Sequence, residues 1–365
     1  MKFQVAGVYI SWPFCAQKCT YCNFASGVMP RELEPLYLSA LVHEIATHAW
    51  QFTPGTLYVG GGTPSGADAG CIERIFGALP GFPWREATIE AAPGTITPER
   101  IDEWRRAGVN RISLGVQSFV KPELARTGRR HDAGVVSRDV ALLRGRGIAN
   151  INIDLIAGLP GQTDWSWEES LSATLRLDPP HVSVYMLEVD DDSRLGAEIL
   201  LGGKRYGASD VPSEDRIADF YETAVERLHA HGIDRYEISN FARAGSESLH
   251  NLKYWKREPY IGFGADAHSF DGAARWQNVE TVQQYIECES PRIEESSPDA
   301  AEEKFFVGLR LAEGIRADAT DWARFGPVFD RFLADGLLEH ANGNLRLTPR
   351  GVMVSNEIFQ EFLAE

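Results

Sequence analysis

Three cysteines fall close together in Cys15-Ala-Gln-Lys-Cys19-Thr-Tyr-Cys22, while Cys71 and Cys288 stand alone. Thiolates at this CxxxCxxC spacing can wrap a compact inorganic centre. A [4Fe–4S] cube has four irons, so three protein ligands leave one iron open to a further ligand. A structural zinc ion would need a fourth donor nearby, and Asn23, Phe24 and Ser26 are poor ones. Three inert surface thiols are the plainer alternative. The position of the run, on a loop directly after a predicted strand, favours the cluster. Cys71 and Cys288 read as ordinary buried cysteines.

The second predicted strand ends in Gly60-Gly61-Gly62-Thr63-Pro64. Glycines here let the backbone approach a ligand closely, and free carbonyls can accept hydrogen bonds from an ammonium group. A plain glycine-rich turn would read the same way. Other predicted strands end near polar residues: Glu90, Gln117, Arg129 and Asp154. A carboxylate can bridge ribose hydroxyls, an Arg can pair with a carboxylate, and Gln can hydrogen-bond to either. Singly, each fits a cap or a surface group. Together, at successive strand ends, they favour a ligand site.

The elements that must carry these residues alternate. Strands are predicted over 8–11, 56–60, 87–91, 111–115, 150–156 and 181–187, each rich in Val, Ile, Leu or Tyr. Between them run helical patterns, such as Leu38, Leu41, Val42, Ile45 and Ala49 on one face, or Val135, Val136, Val140, Leu142 and Leu143. Thr97-Pro98 is a helix start. Six strand–helix units imply an α/β fold with a parallel sheet, too few for a closed eight-fold barrel: a partial (β/α)6 barrel with its chemistry at the strand ends.

Beyond residue 205 the pattern changes. A helix near 213–231 and a strand near 235–240 precede an aromatic, Gly- and His-rich stretch, 250–270. The domain reading is a barrel with its extension over 1–285, an acidic linker over 286–300, and a module over 301–365. The module has helical runs at 301–311 and 328–335, a hairpin turned by Asn342-Gly343 and a helix to the end, a winged-helix-like α+β arrangement. Its scattered basic residues favour scaffold or partner contact over DNA binding.

Composition bounds the function classes. Asp plus Glu number 52 against 36 Lys plus Arg, a net charge of −16, which repels nucleic acid and anionic lipid. At 44% hydrophobic and 24% charged the chain is an ordinary globular one, without a run long enough to span a bilayer. The start, MKFQVAGVYISWPFC, reads as a first strand and not a signal peptide, so a cytoplasmic protein is expected.

The cysteine run, with an aromatic between its last two cysteines after the first strand, resembles the radical S-adenosylmethionine (SAM) superfamily. The resemblance implies a [4Fe–4S] cluster on Cys15, Cys19 and Cys22 with SAM at the open iron. Narrower strings, EAAPGT, AGVNRISLGVQSF, GRRH and NIDLIAGLPGQT, resemble the group containing oxygen-independent coproporphyrinogen III oxidase and the heme chaperone HemW, from about Val8 to the C-terminus. That likeness places Tyr9, Gly61, Gly62, Thr63, Glu90, Gln117, Arg129 and Asp154 at SAM-contacting positions. Two features lie on the chaperone side. Phe24 stands where the oxidase pattern has a further Cys, and His250-Asn251-Leu252-Lys253-Tyr254-Trp255 fits the HNxxYW motif associated with heme. An imidazole can ligate heme iron, and Tyr and Trp can flank a flat macrocycle. A lone His beside aromatics is ordinarily a satisfied core or surface residue; the complete motif is what points to heme. Ser11 replaces a His common in the group, removing any porphyrin or proton-transfer role for it. The resemblance thus implies a cytoplasmic protein binding the cluster, SAM and heme at His250, Asn251, Tyr254 and Trp255, and passing heme to an acceptor. A porphyrin-modifying radical enzyme is the alternative.

Overall fold

Every second residue of the first strand, Val5–Trp12, is apolar and buried, and this strand lies near the middle of a 12-stranded sheet. The computed structural model describes residues 5–363, so the first four residues of the predicted leading strand and the last two of the C-terminal helix lie outside the described residues. Strands β1 (Val5–Trp12), β2 (Thr53–Gly61), β3 (Glu86–Ala91), β4 (Arg111–Gln117), β5 (Asn150–Ala157) and β6 (His181–Met186) pair in chain order, all parallel. The six predicted strands are therefore present.

Helices return the chain between them: α1 (Leu33–Thr47), α2 (Cys71–Gly77), α3 (Pro98–Ala107), α4 (Lys121–Arg126), α5 (Ala133–Gly145) and α6 (Asp164–Arg176). Their starts obey local chemistry. Thr97 accepts from the Arg100 amide with Pro98 in the first turn, Asp132 accepts from the Val135 amide, and Thr163 and Ser166 cap each other. Helix α1 stops at Thr47, so Ala49 lies past its end.

After α7 (Arg194–Leu200) and α8 (Glu214–His229), two short strands, β7 (Asp234–Arg235) and β8 (Asn240–Ala242), replace the single strand predicted over 235–240. They pair antiparallel with each other, and β8 pairs antiparallel with β6. Helix α9 (Leu249–Trp255) leads to β9 (Tyr260–Phe263), a further parallel strand beside β1 that sequence reading missed. Next come β10 (His268–Phe270), β11 (Arg275–Asn278), α10 (Val282–Glu287) and β12 (Arg292–Ser296). Strand β12 lies inside the segment read as a linker and is bonded to β11 at the sheet's edge. The sheet ends on β12 at one side and β7 at the other, so the barrel is open.

The C-terminal part holds α11 (Ala300–Gly308), α12 (Ala319–Ala334), the hairpin β13 (Leu338–Ala341) and β14 (Asn344–Leu347), α13 (Pro349–Met353) and α14 (Ser355–Gln360). Helix α12 begins nine residues earlier than its apolar run at 328 because Asp318 caps the amides of Thr320 and Asp321, and it carries Pro327 inside. Asn342 and Gly343 both take positive φ, 53° and 82°, as a tight hairpin turn requires. Phe305, Phe325, Phe329 and Phe362 form the aromatic centre of this part, with Phe305–Phe329 ring centres 5.0 Å apart. It is fastened to the sheet by Glu303, which accepts from Arg257 at 3.0 Å and from Arg275. Among the described residues no helix is long and apolar enough to cross a membrane.

Glu303 is largely buried and joins two arginines from the segment preceding the module. Glu303→Ala leaves both guanidinium groups without their carboxylate and is expected to cost about 2–3 kcal/mol. Urea unfolding followed by far-UV circular dichroism reads it as a lowered midpoint with unchanged slope.

Candidate functional site

The cysteine loop leaves β1 and is pinned at both ends. The Cys15 amide donates to the Gly27 carbonyl and the Gly27 amide to the Pro13 carbonyl, both at 2.9 Å. The Thr20 amide reaches the Thr127 carbonyl at 3.2 Å, and the Leu195 amide reaches the Thr20 carbonyl at 2.8 Å. Cys15, Cys19 and Cys22 are free thiols, each half-buried. Burial pushes the Cys15 thiol up, while the hydroxyls of Ser26 and Thr63 pull the other way.

All three thiols line one cavity of about 640 Å³ at the C-terminal ends of the strands, together with Gly61, Gly62, Thr63, Glu90, Gln117, Arg129 and Asp154. Tyr9 does not line it. That ring is buried beneath, stacked on Tyr58 at 6.2 Å. The donor set fits a cluster: three free thiols of one loop line one cavity, and thiolates are the ligands of a [4Fe–4S] cube.

The end of β2 sets the cavity wall by backbone alone. The Gly62 amide donates to the Trp12 carbonyl at 2.7 Å and the Thr63 amide to the Phe14 carbonyl at 2.9 Å. Gly61 has φ +107°, and a Cβ on Gly62 would stand 2.6 Å from the Phe14 carbonyl oxygen. Both positions need glycine. Glu90 receives the Tyr58 hydroxyl at 2.9 Å and the Gly61 amide at 3.2 Å. Burial, with the Asp154 charge added, pushes Glu90 up to about 7. Asp154 accepts from Ser113 at 3.1 Å and from Asn152 at 2.6 Å, and burial raises it as well.

Four side-chain polar atoms of cavity-lining residues are buried and unmatched: the Tyr21 and Ser26 hydroxyls, Gln117 Oε1 and Arg129 Nε. Arg129 spends Nη1 on the Gly115 carbonyl at 2.6 Å. Gln117 sits at φ +69°, where a non-glycine residue is strained. A ligand with polar groups would satisfy Gln117 and Arg129, so the wall fits SAM.

The HNxxYW residues lie elsewhere. None of His250, Asn251, Tyr254 and Trp255 lines the cavity. They sit on α9, under the N-terminal ends of β2 and β3, where Glu86 accepts from the Ser248 hydroxyl at 3.2 Å and from the Leu249 and His250 amides at 3.0 and 2.9 Å. His250 is fully buried, with Nδ1 on the Thr56 hydroxyl at 3.0 Å and Nε2 on the Tyr254 hydroxyl at 2.8 Å. Burial, then the Lys253 charge, lowers its pKa to about 3. Trp255 lies under the Arg310 guanidinium at 5.0 Å, and Asn251 donates its amide to the cap at Ser248. Both imidazole nitrogens of His250 are thus hydrogen-bonded, and one of those bonds would have to be exchanged for the ring to ligate iron.

Sequence reading missed Tyr58, Lys18, Arg130 and His131, which also line the cavity. Tyr58 was legible: it shares the inward parity of Gly60 and Gly62 along β2. His131 closes the GRRH string and was passed over for the arginine in it.

Comparison with known proteins agrees with this geometry. Residues 9–173 match the model of the Radical SAM superfamily, and residues 296–354 that of the HemN C-terminal domain. The fold is like that of coproporphyrinogen III oxidase (HemN) from Escherichia coli, with a TM-score of 0.84 over 99% of this chain and 91% of that one at 23% identity. Fold and cavity are those of a radical SAM protein. Proteins called heme chaperone HemW are similar end to end: 35% identity with that of Bacillus subtilis over 98% of this chain and 99% of that protein, and 31% with that of Escherichia coli over the whole of both. The chain belongs to the heme chaperone HemW family.

Two outcomes are expected. Gly62→Ala forces the Phe14 carbonyl away and is expected to weaken SAM binding to the cluster-loaded protein about tenfold or more, read by isothermal titration. The folded pKa of Glu90 lies above its ordinary 4.5. Between 4.5 and about 7 the folded chain therefore holds a proton the unfolded chain has released, and stability falls as pH rises through that window. Glu90→Gln is expected to flatten this slope in urea unfolding measured across the same range.

Proposed function

We propose that this chain is a heme chaperone: it carries a [4Fe–4S] cluster on Cys15, Cys19 and Cys22, binds SAM in the adjoining cavity, binds heme, and delivers it to an acceptor protein in the cytoplasm. The observation that carries the reading is the end-to-end likeness to proteins named for heme delivery, at 35% identity over 98% of this chain. When bound, the cluster and SAM together supply one-electron cleavage of the SAM sulfonium.

The chain's own residues supply position. The Gly61–Gly62 backbone lines the cavity beside the cysteine loop, where SAM's amino end can meet its carbonyls. Arg129, with a free Nε, suits the methionyl carboxylate, and Gln117, with a free Oε1, suits a hydroxyl or an ammonium. Asp154 and Glu90 are the carboxylates available to ribose hydroxyls or to the ammonium, and Tyr58 holds Glu90 in place. Tyr9 supports Tyr58 by stacking from below. The oxidase reading lacks support at two positions: Phe24 stands where that pattern has a cysteine, and Ser11 is a buried serine whose carbonyl takes the Tyr37 hydroxyl.

Anaerobic purification and reconstitution test the reading. Wild type is expected to show the broad blue-end absorption of the cluster, a changed electron paramagnetic signal on adding SAM, and a shifted Soret band on adding heme. Cys19→Ser is expected to lose most of the cluster absorption. Failure of the wild type to take up heme would overturn the chaperone reading.

A further inference from the structure

We infer that Arg310 holds a carboxylate of heme, with the Trp255 indole N–H as a second donor to it. This rests on the heme reading above. It keeps heme on the HNxxYW helix and adds a residue from outside that string.

Arg310 differs from the other cations around α9. Lys253 pairs with Glu258 at 2.8 Å, Lys256 with Glu313 at 3.4 Å and Arg257 with Glu303 at 3.0 Å. The Arg310 side chain is half-buried and has no ion pair or hydrogen bond among the described residues. This is in a chain where acids outnumber bases 52 to 36. Its guanidinium lies between two rings instead, Trp255 at 5.0 Å and Phe359 of α14 at 5.1 Å. Rings attract the charge but leave the N–H donors without an acceptor. Glu237 and Glu188 act on it only by charge, without an ion pair. Glu237 is already spent on the Asn240 side chain and the Ser239 amide. Burial is the largest influence on Arg310, and an arginine keeps its proton there. A desolvated charge without a partner is costly, so a ligand carboxylate that supplies the partner gains affinity.

The second observation comes from the motif itself. His250 has both ring nitrogens bonded, and the Tyr254 hydroxyl is bonded to His250. Of the motif's buried side-chain polar atoms, Trp255 Nε1 alone lacks a partner. It belongs to the ring that Arg310 covers, so two donors without acceptors meet in one contact. The backbone that carries Arg310 is fixed. Its amide donates to the Val307 carbonyl at 3.3 Å, Leu311 bridges to Glu237, and the Ala312 amide reaches the Tyr236 carbonyl at 2.9 Å. Heme carries its two carboxylates on an otherwise flat, apolar ring, so its site needs a cation beside aromatic surface. Arg310 and Trp255 supply both.

Ferric heme and heme dimethyl ester, which lacks free carboxylates, are titrated separately into the cluster-loaded protein and followed by the Soret band. Wild type is expected to bind heme about tenfold more tightly than the ester. R310Q is expected to weaken heme about tenfold and to leave the ester unchanged, with the wild-type band position at saturation because the iron ligand is untouched. R310K is expected to recover part of the loss, since it restores the charge without the planar fork. W255F keeps the ring and removes the N–H, and is expected to weaken heme about fivefold with the ester again unchanged. An Arg310 that only packs between Trp255 and Phe359 would move heme and ester alike. That result, equal wild-type affinity for heme and ester, or unchanged heme affinity in R310Q or W255F with native circular dichroism overturns the assignment while the chaperone reading stands. A wild type that takes up neither heme nor ester overturns that reading itself, and the assignment with it.

Discussion

The contact on which the site depends is made of backbone alone. Where β2 ends, the amides of Gly62 and Thr63 are bonded to the carbonyls of Trp12 and Phe14, the last residues before Cys15. This brings the cysteine loop and the glycine turn together without any side chain between them, and the clearance at Gly62 is too small for one. The loop's other ties, from Cys15 to Gly27 and from Thr20 to Thr127, would fix its shape but not its height over the sheet. Because β2 also pairs with β3, the same clamp sets the distance from the thiols to Glu90, whose carboxylate takes the Gly61 amide. Thiols, glycine wall and carboxylate are thus indexed to one register, Trp12 opposite Gly61.

Below that register the barrel interior is polar, and this ties its two ends together. Asn152 Nδ2 lies within hydrogen-bond distance of Ser113, Asp154 and Ser183 and shares its two hydrogens among them, while its oxygen meets His181 Nδ1 at 2.7 Å, and His181 Nε2 reaches the Tyr236 hydroxyl at 3.0 Å. Such a network is favourable only when each member is satisfied, because an unpaired polar group in a low-dielectric interior costs more than a paired one gains. The members named are all paired, although Thr88 Oγ1 on β3 is buried and unmatched. The unmatched atoms Gln117 Oε1 and Arg129 Nε occur above Asp154, on the cavity wall. Part of the cost thus lies where a ligand can relieve it.

What was legible in the sequence followed from short-range rules. The six parallel strands announced themselves as β-branched runs, Thr97-Pro98 as a cap, Asn342-Gly343 as a turn, and the cysteines by spacing. Other elements were not. Strand β9 has only four residues, and its pairing with β1 depends on contacts more than 240 residues apart in sequence. The predicted strand at 235–240 splits where half-buried Tyr236 and buried Glu237 turn their polar groups to the interior network. Strand β12 is acidic and Ser-flanked, a composition that reads as linker, and becomes a strand through its neighbour β11. Helix α12 starts at a polar cap that an apolar count passes over. The cavity residues were legible for a different reason. Strand parity places Glu90 and Asp154 inward, while Lys18 and His131 lie on loops that carry no such parity.

The HNxxYW string illustrates how a motif's spacing can have two physical origins. A histidine and a tyrosine four residues apart lie on one face of a helix, so the His250–Tyr254 hydrogen bond is what α9 geometry produces unaided. The remaining nitrogen is taken by Thr56 from β2, the ring stacks on Tyr58 at 5.4 Å, and the helix start is held by Glu86 from β3. Each partner belongs to the floor of the barrel, and Tyr58 is also the residue that holds Glu90 at the cavity. Releasing His250 to bind iron would therefore break two hydrogen bonds and remove a ring from beneath Tyr58. The position of the SAM-facing carboxylate would change with it.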